Sequence, residues 1–470
     1  MSQLRNPFFS PPSYSPPFEQ SEGMLYAAYE VVGEGNPTAE GSPTEPLVFE
    51  CVVAGADGML QPSGWGSLDW PRLAILEATN LKLRDWPANA SPGDVVWYQF
   101  RYFQAAAGEE VGLLYPGLFS EGLPVHLKSA NVGGPSLNQP PREVVLRERS
   151  PNLIEKSAKS DLKTRLNEID TVGGVVAYDV GQGAAHGALG ACYRPSVYID
   201  FGGGVTGNTR TFPKEFKGFC FTAEPLIILT HWDWDHWSSA LRQKEALEMT
   251  WLAPQLKKPL PIQHAFAMEL AKKGKLYEWP ETTTTAFRGK TLVIEKCTGK
   301  TSNDSGLAVT VRREGTRKRF LIPGDASYGH IPSVMTGTRL DGLSMTHHGG
   351  VLHDKAYPTP KRGAAAILSV GATNSHGHPR LGTIDFHLEK KWKLPLSTGF
   401  SGQRPSHVYV GWGEQPRIVA GGCGRGACST ALHKLVPKLA GVALVPAVKG
   451  GPYLSVSAPK PKPVSAATGT

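Results

Sequence analysis

The stretch LTHWDWDHW, residues 229–237, sets two histidines and two aspartates among three tryptophans. His231, Asp233, Asp235 and His236 alternate or adjoin, a density of imidazole and carboxylate that burying a core does not require. Just before them, residues 225–229 (PLIIL) read as a short buried strand, opened by proline and closed by polar residues. The titratable groups therefore gather where a core strand runs out into a loop, the place where rigid scaffolds carry chemistry.

Two later stretches repeat the arrangement. RFLIPGDAS (319–327) places Asp325 after an apolar strand and a glycine turn, and LSMTHHGG (343–350) places His347 and His348 at the end of another apolar stretch. Imidazole nitrogens and carboxylate oxygens are common ligands of zinc, manganese and iron, and a site needs about four of them converging on one point. Three strand-then-ligand units in order predict such a site. A solvated loop with incidental charges is the bland reading of 231–236, and the flanking strands and later units weigh against it.

These stretches also resemble the metallo-β-lactamase fold, whose first metal motif H-x-H-x-D-H stands here as H-x-D-x-D-H at 231–236. The aspartate in third place is most similar to the hydrolase domain of ComEC-like DNA-uptake proteins. YDVGQGAAHGAL (178–189), VYIDFGGG (197–204), TSNDSGLAVTV (301–311), THHGG (346–350) and LSVGATNSHGHP (368–379) resemble further motifs of that subgroup in the same order. The likeness covers about residues 173–412, and six motifs in sequence are specific where one would be weak.

The resemblance implies an αββα sandwich, two mixed sheets face to face with helices outside. It makes Asp235, His236 and Asp325 ligands of one metal, with Asp325 bridging to a second held by His231 and Asp233. One of His347 and His348 closes the shell, and the other lies near the substrate; both stay open at this stage. Asp235, His348 and His378 are the candidate catalytic residues, His378 through contact with the leaving group or a substrate phosphate. Asp179 and Asp200 are expected to orient loops and ligands.

The chain departs from the family in two places. The further ligand histidine usual between the first motif and the bridging aspartate is missing, since that interval holds only His264, in a stretch that reads as a helix. WSS stands where the family has an aliphatic residue and two glycines.

The rest of the chain sets the frame. At 470 residues it is long enough for two to four domains, and 13 of its 14 histidines fall between His186 and His433. Residues 1–22 read as a disordered leader and 23–150 as a small β-rich domain without a catalytic constellation. Residues 151–172 read as a linker with one amphipathic helix, 173–420 as the hydrolase domain, expected to fold by itself, and 421–470 as an extension with a flexible tail. Six scattered cysteines, Cys423 and Cys428 among them, argue against a disulfide framework and a zinc ribbon.

The amino-terminal sequence lacks a signal pattern and no run of about 18 apolar residues occurs, so a cytoplasmic protein without a membrane partner is expected. A net charge of +8 lends mild support to a polyanionic partner.

Of the remaining motifs, Trp232, Trp234 and Trp237 are expected to pack rather than stack on bases, and the glycines of GQGAAHG are weak evidence of a phosphate cradle. His186 reads as structural or substrate-adjacent. Arg312, Arg313, Arg317, Lys318 and Arg319 read as the solvated face of a hairpin.

Taken together, these readings predict a hydrolase with one or two divalent ions, zinc or manganese, that cleaves a phosphodiester in DNA or RNA. Hydrolysis of a small phosphoester or cyclic nucleotide is the alternative. A partner-binding subunit with a vestigial metal site is the reading from another class, and the N-terminal domain is the candidate surface for a protein partner.

Overall fold

The computed structural model describes residues 21–419 apart from 33–45, 62–70, 107–111, 130–162, 280–285, 400–404 and isolated loop positions between them. The expectations for residues 1–20, for most of the linker, for Cys423 and Cys428 and for the tail fall outside the described residues.

The first six strands are β1 (Glu22–Glu30), β2 (Leu47–Ala54), β3 (Leu73–Ala78), β4 (Val95–Gln104), β5 (Gly112–Tyr115) and β6 (Leu123–Ser129). They pair antiparallel in the order β1-β2-β3-β5-β6-β4, and β4 returns to β1, so the sheet closes into a barrel without edges. Strand alternation sends Leu25, Ala27 and Tyr29 into the barrel with Phe49, Cys51, Leu76 and Phe100. Their neighbours Met24, Tyr26 and Ala28 face outward and are buried too, in an apolar cluster shared with the rest of the chain. That double burial is why β1 reads as an unbroken apolar run.

A helix over 163–168, α1, leads into two further sheets. The first joins β7 (Gly174–Ala177), β8 (Ala185–Leu189), β9 (Pro195–Phe201), β10 (Leu226–Ile228), β11 (Trp251–Pro254) and β12 (Leu276–Trp279) to β20 (His407–Gly411) and β21 (Arg417–Val419). The second runs in sequence through β13 (Phe287–Arg288), β14 (Leu292–Lys296), β15 (Leu307–Arg312), β16 (Arg319–Ile322), β17 (Arg339–Ser344), β18 (Thr359–Leu368) and β19 (Leu396–Ser397). Both are mixed: β9 to β12 are parallel neighbours, as are β16 to β19, and the remaining pairs are antiparallel.

Val197, Ile199 and Ile228 of the first sheet meet Val309, Ile322 and Ile367 of the second in one core, so the sheets pack face to face. On the far side of the first sheet, Tyr198 and Trp251 pack with α2 (Ser239–Arg242) and α3 (Pro261–Lys272). On the far side of the second, Leu343 and Leu368 pack with α4 (Pro332–Met335) and α5 (Leu381–Glu389). The layers are therefore helix, sheet, sheet, helix: the αββα sandwich, here preceded by the barrel.

The basic stretch 312–319 is the expected hairpin. Arg312 pairs with Arg319, and Gly315 takes the positive φ of +69° that the turn needs. No helix among the described residues is long and apolar enough to cross a membrane.

Candidate metal centre

Three strands deliver the candidate ligands to one end of the sandwich. β10 runs into Thr230–His236, β16 into Gly324 and Asp325, and β17 into His347 and His348. Close backbone approach brings these loops together. A Cβ on Gly202 would lie 1.5 Å from the Asp235 carbonyl oxygen, so only glycine lets the chain after β9 pass beneath the metal loop.

Each of three imidazoles is held through Nδ1. His236 Nδ1 lies 2.9 Å from Asp200 Oδ2. Thr230 donates its backbone N–H to Asp200 Oδ1 at 2.7 Å and its hydroxyl to Oδ2 at 2.9 Å, and its Oγ1 lies 3.0 Å from His231 Nδ1. With the Thr230 hydroxyl proton directed at Asp200, His231 Nδ1–H is the donor to Oγ1. His348 Nδ1 donates to the Ser369 carbonyl at 2.8 Å. A carbonyl or carboxylate partner demands a protonated Nδ1, which leaves Nε2 with the lone pair. The Nε2 atoms of His231, His236 and His348 are buried and have no hydrogen-bond partner.

These nitrogens converge on Asp325. Its Oδ1 lies 3.2 Å from His236 Nε2 and 3.7 Å from His348 Nε2. Its Oδ2 lies 3.9 Å from His231 Nε2 and 3.8 Å from His347 Nε2. Asp235 Oδ2 adds a contact of 3.2 Å to His348 on the first side, and Asp233 Oδ2 one of 3.3 Å to His231 on the second. One carboxylate thus faces two donor sets, Asp235/His236/His348 and Asp233/His231/His347. Buried unpaired nitrogen lone pairs around carboxylates fit divalent cations, and the mixed nitrogen and oxygen donors suit zinc or manganese. Groups able to hold an ion are His231, His236 and Asp325, and Asp235, His236 and His348.

His347 and His348 reach opposite oxygens because both residues are left-handed, with φ of 49° and 51°. His348 is the buried one, on the Asp235 side. His347, its side chain 37% exposed, stands with Asp233 (39%) and Asp235 (23%) on the open side. The sequence left this choice open. His264 does not join; it is buried on α3.

The buried charged groups shift one another's pKa values. Burial disfavours a charged His236, but Asp325, Asp200 and Asp235 outweigh it and hold the imidazole well above its ordinary pKa. His348 is raised in the same way against burial, by Asp325 and Asp235. Burial would raise Asp325, yet His236, His348 and His347 hold it well below the carboxylate range.

The surrounding residues serve as supports. Asp179 Oδ2 accepts the Ser406 N–H at 2.9 Å, and Gln182 Oε1 accepts that of Gly371 at 3.3 Å. The DVGQG turn therefore ties loops to one another. Asn374 holds the backbone N–H and carbonyl of His378, at 3.0 and 2.6 Å, and so fixes the loop that sets the His378 ring 5.3 Å from that of His347. Burial, with His347 and His348 alongside, pushes the His378 pKa far down, so its ring stays neutral. The tryptophans pack: Trp237 stacks on Phe266 at 4.0 Å, Trp232 donates to the Pro254 carbonyl, and Trp234 donates to Glu50 of the barrel. Thr230, Ser369 and Glu50 went unassigned in the sequence. Thr230 alone carried a local signal, as the hydroxyl residue preceding His231.

His186 sits beneath the centre with Nε2 2.8 Å from Ser344 Oγ. Burial, with His348 and His236 adding to it and Asp200 opposing, pushes its pKa down to about 4. The unfolded chain takes up a proton near pH 6.5, so stability present above that pH is lost as pH falls toward 4, by as much as ~3 kcal/mol. In metal-free protein, denaturant titrations at pH 7 and 4.5 are expected to show a smaller acid loss for His186→Gln than for wild type. Equal losses would clear His186 of that role.

No known family model and no curated protein matches the sequence. Among solved structures the chain is similar to ST1585 of Sulfolobus tokodaii, an archaeal metallo-β-lactamase superfamily protein, at 14% identity and a TM-score of 0.24, over 48% of this chain and 78% of that one. It is similar to the metallo-β-lactamase fold protein YhfI of Bacillus subtilis at 10% identity and 0.29, over 48% and 95%. CmlA, a diiron β-hydroxylase of Streptomyces venezuelae, aligns at 10% identity and 0.30, over 67% and 69%. Likeness at this level assigns no residue role and no activity.

Proposed function

We propose that the chain is a metal-dependent hydrolase acting on a phosphodiester in DNA or RNA. The observation that carries the metal-dependent part is Asp325, whose two oxygens each face a separate set of imidazole and carboxylate donors. Divalent zinc or manganese held by Asp325 and these donors would supply Lewis acidity and make hydroxide available near neutral pH. The phosphodiester preference is supported by the ComEC-like motifs and by the +8 charge, which favours a polyanion.

The chain's own residues prepare the chemistry. Asp200, Thr230 and the Ser369 carbonyl fix three imidazoles with Nε2 inward, so little reorganisation is needed when substrate arrives. Asp233, Asp235 and His347 line the open side, where a substrate enters. Neutral His378 offers a hydrogen bond to a substrate or leaving-group oxygen without adding charge.

The test loads the protein with manganese or zinc and presents single- and double-stranded DNA and RNA, bis(p-nitrophenyl) phosphate and a cyclic nucleotide. Cleavage of a nucleic acid is expected, falling steeply with added salt, and Asp235→Ala and His236→Ala should each abolish it. Equal cleavage by wild type and Asp235→Ala would assign the activity to a contaminant. Inertness on every polymer with turnover of a small phosphoester would replace the reading with the small-molecule one.

A further inference from the structure

The barrel reaches into the metal loop through a buried carboxylate. Glu50 lies on β2 and is only 1% exposed. Its Oε1 accepts the indole N–H of Trp234 at 2.5 Å, and its Oε2 accepts the backbone N–H groups of Ile262 at 2.5 Å and Gln263 at 3.3 Å. A carboxylate withdrawn from water is costly unless its oxygens are matched. Here they are matched from two directions: by the first turn of α3, where N–H groups lack partners within the helix, and by a tryptophan side chain.

The position of that tryptophan gives the contact its meaning. Trp234 separates Asp233 from Asp235, the carboxylates that face opposite sides of Asp325. Fixing its indole fixes the backbone from which both project. A second barrel carboxylate works next door: Glu30 Oε1 accepts the Ser302 N–H at 2.5 Å. The turn holding Ser302 leads to Leu307, whose N–H donates to the Thr230 carbonyl at 2.7 Å, and Thr230 orients His231 and Asp200. The barrel therefore grips the metal loop at its middle and buttresses it at its start.

We propose that the N-terminal barrel is a positioning module for the metal centre, and that Glu50 acts as its positioning residue by holding Trp234 between Asp233 and Asp235. The proposal rests on reading the site as a metal centre. Loss of a residue that orients metal ligands typically weakens metal binding by 10- to 100-fold, and Glu50, acting through Trp234, belongs at the lower end of that range.

The experiment is a manganese(II) titration of the full-length protein, followed by the EPR signal of the free ion, with thermal unfolding of each metal-free variant measured alongside. Glu50→Leu and Trp234→Phe are each expected to weaken manganese binding by ~10-fold, and the double variant by ~10-fold rather than ~100-fold, because both break the same Glu50–Trp234 hydrogen bond. Lys258→Ala breaks the barrel–sandwich ion pair with Asp94, away from the metal loop, and should leave the affinity unchanged. A purely structural role would lower the metal-free Tm and leave the affinity intact, and that result overturns the proposal. So does a double variant with multiplied losses. If Glu50→Leu fails to fold, Trp234→Phe, which keeps a ring in place, decides alone. A wild type that takes up neither manganese nor zinc would instead fell the metal-centre reading, and the proposal with it.

Discussion

Asp325→Ala is expected to leave the protein with well under a tenth of its wild-type metal and to lower turnover by ~1000-fold or more, the scale on which lost stabilisation of developing charge is felt. The reason is the division of labour between its oxygens. Oδ1 stands toward His236 and His348, and Oδ2 toward His231 and His347. Asp233, Asp235, His231, His347 and His348 each contact one side only, so replacing any one of them spares part of the centre. Elemental analysis of wild type and variant after identical loading checks the first half, and the nucleic-acid panel the second. A variant that keeps its full metal complement would mean that Asp233 and Asp235 hold the ions without a bridge.

The second large effect concerns the barrel. A chain shortened to residues 163–419 is expected to be insoluble or molten, contrary to the sequence expectation that the sandwich folds alone. The sandwich shares an apolar cluster with Met24, Tyr26, Val52, Ile75 and Trp97 of the barrel, and exposing such an area in water invites aggregation. Polar ties would be lost as well. The N–H groups that open α3 lose Glu50, and Arg242, packed 4.1 Å from the Phe119 ring, loses that partner. Binding of the dye ANS, loss of near-ultraviolet circular dichroism and a broad melt would mark this state. A sharp melt at the full-length temperature would show instead that the barrel is dispensable for folding.

The sandwich was expected from the resemblance of six motifs, and its candidate ligands were legible because they are written locally. Each ligand follows directly on an apolar strand, so period and punctuation alone point to Asp325 after β16 and to the histidine pair after β17. What the chain does over long distances was not legible. Glu50 meets Trp234 across 184 residues, and no spacing rule links a barrel glutamate to a loop tryptophan. The strands of 23–150 could be read, whereas their closure depends on β4 pairing with β1, which alternation leaves unspecified. The assignment of His347 and His348 depends on the backbone turn between them, not on the letters H-H. His264 shows the converse, a histidine whose helical surroundings in the sequence already set it apart from the site.

That turn has a further consequence. Two successive non-glycine residues in the left-handed region each cost about 1 kcal/mol or more, and glycine at either place would relieve the cost. Selection for a tougher protein would therefore favour glycine at 347 or 348, while selection for a complete donor set favours histidine at both. Histidine at both positions therefore keeps two donors at the centre at a cost in stability. In a degenerate relative that has stopped binding metal, this pair is where the first substitutions should accumulate.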